Sequence, residues 1–377
     1  MPYAPDYLGH DTPKLGFGLM RLPHLEDGSI DVPQVCDMVD CFLDAGLTYF
    51  DTAYVYTGSE EATRKALVER HPRGSYTLCS KANAWLGNPT ADEVKRQFAT
   101  SLERLGTDYL DFYLLHAIQD NNNDIYDQYQ LWDWVRGLKE QGVIRHWGFS
   151  FHAGPDRLER LLTENPDIDF IQLQVNYADW NDDANVASRL NVAVAEKHGV
   201  PYTVMEPVKG GMLASLPEAA AAPLRKAAPD RSLASWALRF AASLDGLVTV
   251  LSGMSNTEQM KENLALMRDL PAFTEVEKAA LAETQKYIAS IPQVPCTGCS
   301  YCTKGCPQSI PIPDIFTAWN QYKVYENLTP AKRFYGFVTR GGQKASTCVE
   351  CGQCESVCPQ SIGIIEELKQ VSAAFDA

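Results

Sequence analysis

The sequence predicts an α/β protein in two parts. A parallel (β/α)8 barrel spans residues 1–270, and a smaller, mainly helical, cysteine-rich module spans 293–377, with a connecting helix at 271–292. Three observations carry this. Short apolar, β-branched segments recur eight times before residue 255, amphipathic runs of helical period alternate with them, and eight of the 11 cysteines fall in two spaced runs after residue 295. Eight strands each followed by a helix fit a closed TIM barrel. An open doubly wound sheet would need a Gly-rich fingerprint after its first strand, and none is present.

The predicted strands are KLGFG (14–18), LTYFD (47–51), YTLCSK (76–81), YLDFYLLH (109–116), IRHWGFS (144–150), FIQLQV (170–175), PYTVME (201–206) and LVTVLS (247–252). Helical patterns lie at 33–45, 59–70, 155–164, 184–198, 232–242 and 257–267. A further run opens at Thr90, where T-x-x-E forms a capping box with Glu93, and stops at Gly106. Another, from Tyr126, places Leu131, Trp134, Val135 and Leu138 on one stripe before Gly142. Segment 271–292 reads as a helix capped at Thr274 and ended near Pro292.

A formal charge of −15 over 377 residues argues against wrapping nucleic acid. The start MPYAPDYLGH lacks a basic region followed by an apolar run, and no 18-residue apolar stretch occurs, so neither secretion nor a membrane span is expected. A cytoplasmic setting follows, and cysteines there point to metal or redox chemistry rather than disulfides. Lys332, Arg333, Arg340 and Lys344 cluster between the cysteine runs. They read either as charge compensation or a solvated face, or as a docking patch for an acidic electron carrier.

Asp51, Lys81, His116, Ser150, Gln174, Glu206 and Ser252 all sit at or just beyond the carboxyl end of a predicted strand, the catalytic face of such a barrel. Asp51 with Lys81 alone would read as an ordinary buried ion pair. Seven polar residues in phase point to chemistry.

The motifs DTAYVY followed by GSE, SK at 80–81 and DFYLLH at 111–116 strongly resemble the aldo-keto reductases. GFS (148–150), QLQVNY (172–177) and GMSNTEQMKENL (253–264) extend the resemblance over roughly residues 8–270. It implies a catalytic tetrad of Asp51, Tyr56, Lys81 and His116, and NADP(H) or NAD(H) as cofactor. A free tyrosine, with a pKa of about 10, is a sluggish acid near neutrality. A buried Lys81 ammonium would lower it, with Asp51 keeping Lys81 charged and His116 orienting the carbonyl oxygen or relaying the proton.

By the same resemblance, Ser150 and Gln174 hold the carboxamide and Tyr177 stacks on the nicotinamide. Gly18, Leu19 and Met20, then Glu206, Pro207, Val208, Gly210 and Gly211, and Ser252, Gly253, Ser255, Gln259 and Asn263 make the remaining cofactor contacts. Gly210 and Gly211 would let backbone N–H groups approach phosphate. Members selective for the 2′-phosphate usually place Lys or Arg in the last segment; SGMSNTEQ has none, and Lys209 or Lys261 are the substitutes. The family's S-N after the fifth strand reads SFH, which leaves His152 as a pocket residue or, on the reading preferred here, a surface one.

Both cysteine runs follow C-x2-C-x2-C-x3-C-P, the bacterial two-cluster ferredoxin pattern, in which the fourth cysteine serves the other cluster. Zinc sites usually separate their C-x-x-C halves further. The expected [4Fe-4S] ligand sets are Cys296, Cys299, Cys302 with Cys358, and Cys348, Cys351, Cys354 with Cys306. Ile312, Ile315, Phe316, Trp319 and Tyr322 mark a core-facing helix between the runs, as in helical ferredoxin-like modules. Cys36, Cys41 and Cys79 read as structural.

Nicotinamide delivers two electrons as hydride and each cluster takes one, so coupling them needs a mediator. No dedicated flavin fingerprint is present, although a barrel phosphate site could accept one. The leading expectation is an oxidoreductase acting on a small carbonyl or alcohol. The alternatives are an electron-transfer enzyme served by an external ferredoxin or flavodoxin-like carrier, and a barrel whose clusters are purely structural. The loops 83–89, with Trp85, and 117–128 would wall the pocket, the Asn-rich stretch 121–123 forming an exposed tip.

Overall fold

The computed structural model describes residue 8 and residues 12–87, 89–119, 122–183 and 186–377. Eight strands close into a barrel in sequence order: β1 Leu15–Gly18, β2 Tyr49–Asp51, β3 Thr77–Ala82, β4 Leu110–Ile118, β5 Ile144–Phe151, β6 Phe170–Gln174, β7 Tyr202–Met205 and β8 Leu247–Ser252. Every pairing is parallel, from β1 with β2 round to β8 with β1. Strands buried on both faces explain the near-continuous apolar runs.

Alternation along each strand sends one set of side chains outward and the other into the barrel. The outward set, with Phe17, Phe50, Leu78, Tyr113 and Phe149, packs on the surrounding helices. The inward set, with Tyr49, Cys79, Phe112, Leu114 and Phe170, fills the interior, where the Tyr49 and Phe112 rings lie 4.9 Å apart. Gly148 permits the closest strand approach: a Cβ there would lie 2.0 Å from the carbonyl oxygen of Phe170.

The helices that follow are α1 Val32–Asp44, α2 Ala91–Leu105, α3 Leu131–Glu140, α4 Pro155–Glu164, α5 Ser188–His198, α6 Glu218–Ala227, α7 Leu233–Ala242 and α8 Thr257–Asp269. The capping box of Thr90 and Glu93 opens α2, and Gly106, at φ 70, closes it. Three expectations need correction. The helix at 59–70 runs from Ser59 to Thr63 and then widens into a π turn over Arg64–Val68. The run from Tyr126 breaks at Gln130, whose φ of 53 leaves a short helix, Asn123–Gln128, ahead of α3. On α3 it is Trp132 that is buried with Leu131, Val135 and Leu138, Trp134 being partly covered. The pattern expected over 184–198 starts as a helix only at Ser188; 186 and 187 precede α5, and 184 and 185 lie outside the described residues.

The chain divides into two compact units, one reaching Val208 and resuming over Ser235–Ala272, the other comprising Lys209–Ala234 and Phe273–Ala377. In the second, α6 packs on α9, Glu275–Ser290, where the Thr284 hydroxyl donates to the Ala220 carbonyl at 2.9 Å. The capping box of Thr274 and Glu277 starts α9. Beyond it, α10 Ile312–Tyr325, α11 Leu328–Val338 and α12 Ile364–Phe375 surround a core of Ile315, Phe316, Trp319, Tyr335 and Phe375. Among the described residues no helix is long and apolar enough to cross a membrane.

Candidate active site

The ends of β2, β3 and β4 bring three ionisable groups together. Asp51, the last residue of β2, is paired in register with Cys79, two residues before Lys81 on the same inward face of β3. The Lys81 ammonium, fully buried, donates to Asp51 Oδ1 at 2.5 Å and to the Thr52 carbonyl at 2.7 Å. It lies 5.2 Å from the Tyr56 ring centroid, and that ring meets His116 edge to face at 5.8 Å. The four residues expected as a tetrad therefore converge. Gln172, two residues before Gln174 and on the same face of β6, donates to the other Asp51 oxygen at 3.4 Å. Sequence reasoning passed over Gln172, though the i, i+2 spacing in QLQ was the signal for it.

Burial alone would lower the Lys81 pKa; the Asp51 carboxylate, with Tyr56 and Cys79, outweighs it and holds Lys81 above its ordinary value. Burial lowers the His116 pKa well below the usual imidazole range, with Lys81 and His152 adding to it, so the ring is neutral. Its buried Nδ1 has no hydrogen-bond partner among the described residues, while its backbone carbonyl accepts from the Tyr126 hydroxyl. Tyr56 departs from expectation. Desolvation raises its pKa above 10 and Lys81 opposes this without overcoming it, Asp51 and Glu206 adding to the rise. The physical reason is that burial of the phenol outweighs the Lys81 charge, which Asp51 also partly offsets. The ring keeps partial contact with solvent, which tempers the desolvation.

Around the rest of the barrel mouth the expected cofactor residues are only partly presented. Gly18 lies against β8, where an added Cβ would be 3.4 Å from the Ser252 carbonyl oxygen. Leu19 points into the core and its carbonyl accepts from the Ser59 hydroxyl, whereas Met20 is 57% exposed. The Ser150 hydroxyl accepts the Ala117 N–H at 2.7 Å and keeps its own proton for donation. The Gln174 amide donates to Asp179 at 3.4 Å. Ser252 accepts from Asn263 at 3.0 Å, and Gln259 accepts the Ser255 N–H at 2.8 Å. Tyr177 does not reach the mouth: it is fully buried, edge to face with Phe240 at 6.3 Å, so stacking from it is not supported. Pro207 is buried and Val208 packs on the barrel core. Gly210 and Gly211, at φ 64 and 99, have the open backbone expected of a phosphate loop but belong to the second unit.

Two rim residues escaped the sequence reading or were misjudged. Arg21 follows β1, runs along Gly253 and pairs with Glu206 at 3.4 Å; Glu206 itself is held at φ 56. His152 extends the inward series His146, Gly148, Ser150, and though solvent-exposed it faces Glu206, Gln174 and His116. It is a pocket-rim residue, not one on the outer surface. Trp85 is partly buried, its indole N–H lacking a partner among the described residues. The expected Asn-rich tip is not borne out at Asn122, which is buried and donates to the Ala117 carbonyl at 2.8 Å; residue 121 lies outside the described residues.

In the second unit, Cys296, Cys299, Cys302 and Cys358 line one cavity, with Ile312, Phe316 and Ile364 as its walls. Cys306, Cys348, Cys351 and Cys354 line another, with Ile310, Ile312 and Leu368. These are the two ligand sets expected from the spacing, each taking its fourth thiol from the other motif. The two loops also share a backbone course. Positive φ angles fall at Gly298 and Glu350, at Ser300 and Gly352, and at Ser309 and Ser361, the same three places in each motif. Four thiols around an apolar cavity fit a [4Fe-4S] cluster.

Residues 14–284 match the aldo/keto reductase family and residues 295–362 match a 4Fe-4S dicluster domain. Among curated proteins, the uncharacterized oxidoreductase YqkF of Bacillus subtilis is 24% identical over 311 residues, covering 74% of this chain and 94% of that protein. An aldo-keto reductase of Mycolicibacterium vanbaalenii is 32% identical over 225 residues, covering 59% of this chain and 74% of the relative. Among solved structures, aldo-keto reductase AKR11C1 from Bacillus halodurans, in its holo form, is 27% identical with a TM-score of 0.56, covering 72% of this chain and 91% of that one. An aldo/keto reductase from Klebsiella pneumoniae in complex with NADP and acetate shares the fold at 22% identity and a TM-score of 0.60, covering 74% and 94%.

Proposed function

Because this chain belongs to the aldo/keto reductase family, with a 4Fe-4S dicluster domain following in sequence, we propose that it reduces a small carbonyl compound, or oxidises the matching alcohol, with a nicotinamide dinucleotide. The single observation that carries this reading is the convergence of Asp51, Tyr56, Lys81 and His116 at one end of the barrel.

A bound nicotinamide supplies hydride to the carbonyl carbon. The chain's own residues do the rest. Tyr56 gives its phenolic proton to the carbonyl oxygen as negative charge develops there. The Lys81 ammonium beside the ring stabilises the phenolate left behind, and Asp51 keeps that ammonium charged and aimed. His116, neutral, donates from its ring N–H and orients the oxygen toward Tyr56. Ser150, with its hydroxyl proton free to donate, and Gln174 would hold the carboxamide. Lys261, the residue available to a 2′-phosphate in the last segment, is exposed on α8.

Turnover of an aldehyde and ketone panel by the full chain, compared with Tyr56→Phe, tests the proposal. Undiminished turnover in the variant sinks it.

The paired four-cysteine cavities favour a second role beside this one. In it the clusters pass single electrons to or from an external carrier, and Cys299 and Cys351, both exposed, bring each cluster's edge to solvent. Anaerobic reduction of the loaded clusters, followed by electron paramagnetic resonance, tests it; clusters that accept no electron would be structural only.

A further inference from the structure

Two arginines, one on α11 and one just past its end, stand out against the charge of the chain. Arg333, Phe337 and Arg340 follow one another at i, i+4 and i+7, one face of the helix and its immediate exit. All three are exposed, Phe337 at 45%, and the Arg340 guanidinium lies 5.0 Å over the Phe337 ring. On a protein of net charge −15, neither arginine has a carboxylate partner among the described residues. The neighbouring lysines differ: Lys332 donates to the Ala377 carbonyl at 3.4 Å and Lys344 lies 3.8 Å from Asp376. Charge compensation within the chain therefore accounts for the lysines and leaves the arginines over.

The path of the chain gives this face a direction. From Arg340 it turns through Gly342, at φ 90, passes the exposed Lys344 and enters Cys348 after one short 3-10 turn, Ala345–Thr347. Cys348 lines the cavity shared with Cys306, Cys351 and Cys354. Beside it Val349 is 57% exposed and Cys351 is exposed as well. The surface at this cavity thus combines an exposed apolar side chain with an exposed thiol, and the segment that reaches it comes straight from the two uncompensated arginines. Electron-transfer contacts are small and transient, with charge steering the encounter and apolar groups at its centre.

We propose that the face of Arg333, Phe337 and Arg340, continued by Lys344, is the docking surface for an acidic one-electron carrier protein that serves the cluster held by Cys306, Cys348, Cys351 and Cys354. The proposal rests on the reading in which the dicluster domain carries electrons. In the step itself the reduced carrier loses one electron and this cluster gains it; no bond is made and no proton moves. The partner's acidic surface follows from complementarity, since a basic carrier would be repelled here and a neutral one would leave both guanidiniums unpaired.

The test uses the full, cluster-loaded chain under anaerobic conditions, with an acidic plant-type [2Fe-2S] ferredoxin as probe. Binding of the oxidised probe is measured by microscale thermophoresis at low and high salt, and electron transfer from the reduced probe by stopped-flow absorbance. Wild type and Arg333→Glu with Arg340→Glu are compared, with dithionite as a small reductant. The expected result is that the double variant weakens binding and slows transfer by about tenfold or more at low salt, and that salt weakens wild type while leaving the variant little changed. Equal reduction of both proteins by dithionite shows that the variant is folded and loaded. If ferredoxin binds both alike, or wild-type binding ignores salt, the docking surface is wrong and the electron-carrying reading stands. If dithionite leaves the wild-type clusters oxidised, that reading falls and takes the docking surface with it.

Discussion

The Lys81 ammonium and the Asp51 carboxylate meet at 2.5 Å with almost no water around either, while Gln172 holds the carboxylate's other oxygen. Such a pair contributes little over an apolar alternative, yet removing one partner strands the other charge.

Asp51→Asn is therefore expected to cost about 3–5 kcal/mol of stability at neutral pH. The sign follows from linkage. The folded-state pKa of Lys81 is raised, so its contribution is complete below the unfolded value of about 10.4 and is lost only as pH climbs through the higher folded value. Urea unfolding of variant and wild type at pH 7 checks this. Carbonyl turnover should fall with it, since a Lys81 without Asp51 loses charge and aim.

Tyr56→Phe should lower kcat for carbonyl reduction by roughly 10²–10⁴, the usual worth of a positioned general acid. Dinucleotide affinity should stay within about twofold, because the hydroxyl acts on the substrate oxygen. Steady-state kinetics alongside fluorescence titration separates the two effects.

The pH profile should reflect a phenol that is harder, not easier, to ionise. Tyr56 is raised above 10 by desolvation, with Lys81 opposing, so reduction should stay level from neutral pH and fall only above about pH 10. His116 is neutral well below its ordinary range, so no acid limb should appear near pH 6.5. A basic limb centred two units lower would mean that Lys81 dominates in the working enzyme.

Exchanging the fourth thiols tells the two four-cysteine cavities apart. Cys306→Ala should disturb the site of Cys348, Cys351 and Cys354, although it lies in the other motif, and Cys358→Ala the site of Cys296, Cys299 and Cys302. Each variant should lose roughly half of the bound iron. Iron analysis with electron paramagnetic resonance distinguishes this crossed pattern from one in which each motif closes on itself.

The strands and the tetrad were legible because period-two alternation and strand-end position are local properties, readable a few residues at a time. The cysteine sets were legible because their spacing fixes the loop. What could not be read depended on distant partners. Tyr177 looked available beside the cofactor residues, but Phe240 on α7 claims its ring. Arg21 gave no local sign that Glu206 would be its partner across the mouth. The Tyr56 pKa was misjudged because the Lys81 charge is visible in the sequence and the desolvation of the phenol, which outweighs it, is not. His152 was the avoidable miss, since it continues the inward alternation of β5 by one step.

The polypeptide leaves the barrel unit after Val208 and returns at Ser235, leaving again only after Ala272. One consequence concerns heredity as much as mechanics. A fragment ending at residue 272 would carry α6 without the α9 helix it packs on, baring Ala220, Ala221 and Leu224 to water. A single seam that keeps α6 with its partner therefore lies beyond α9, between Ser290 and the start of the dicluster match at residue 295.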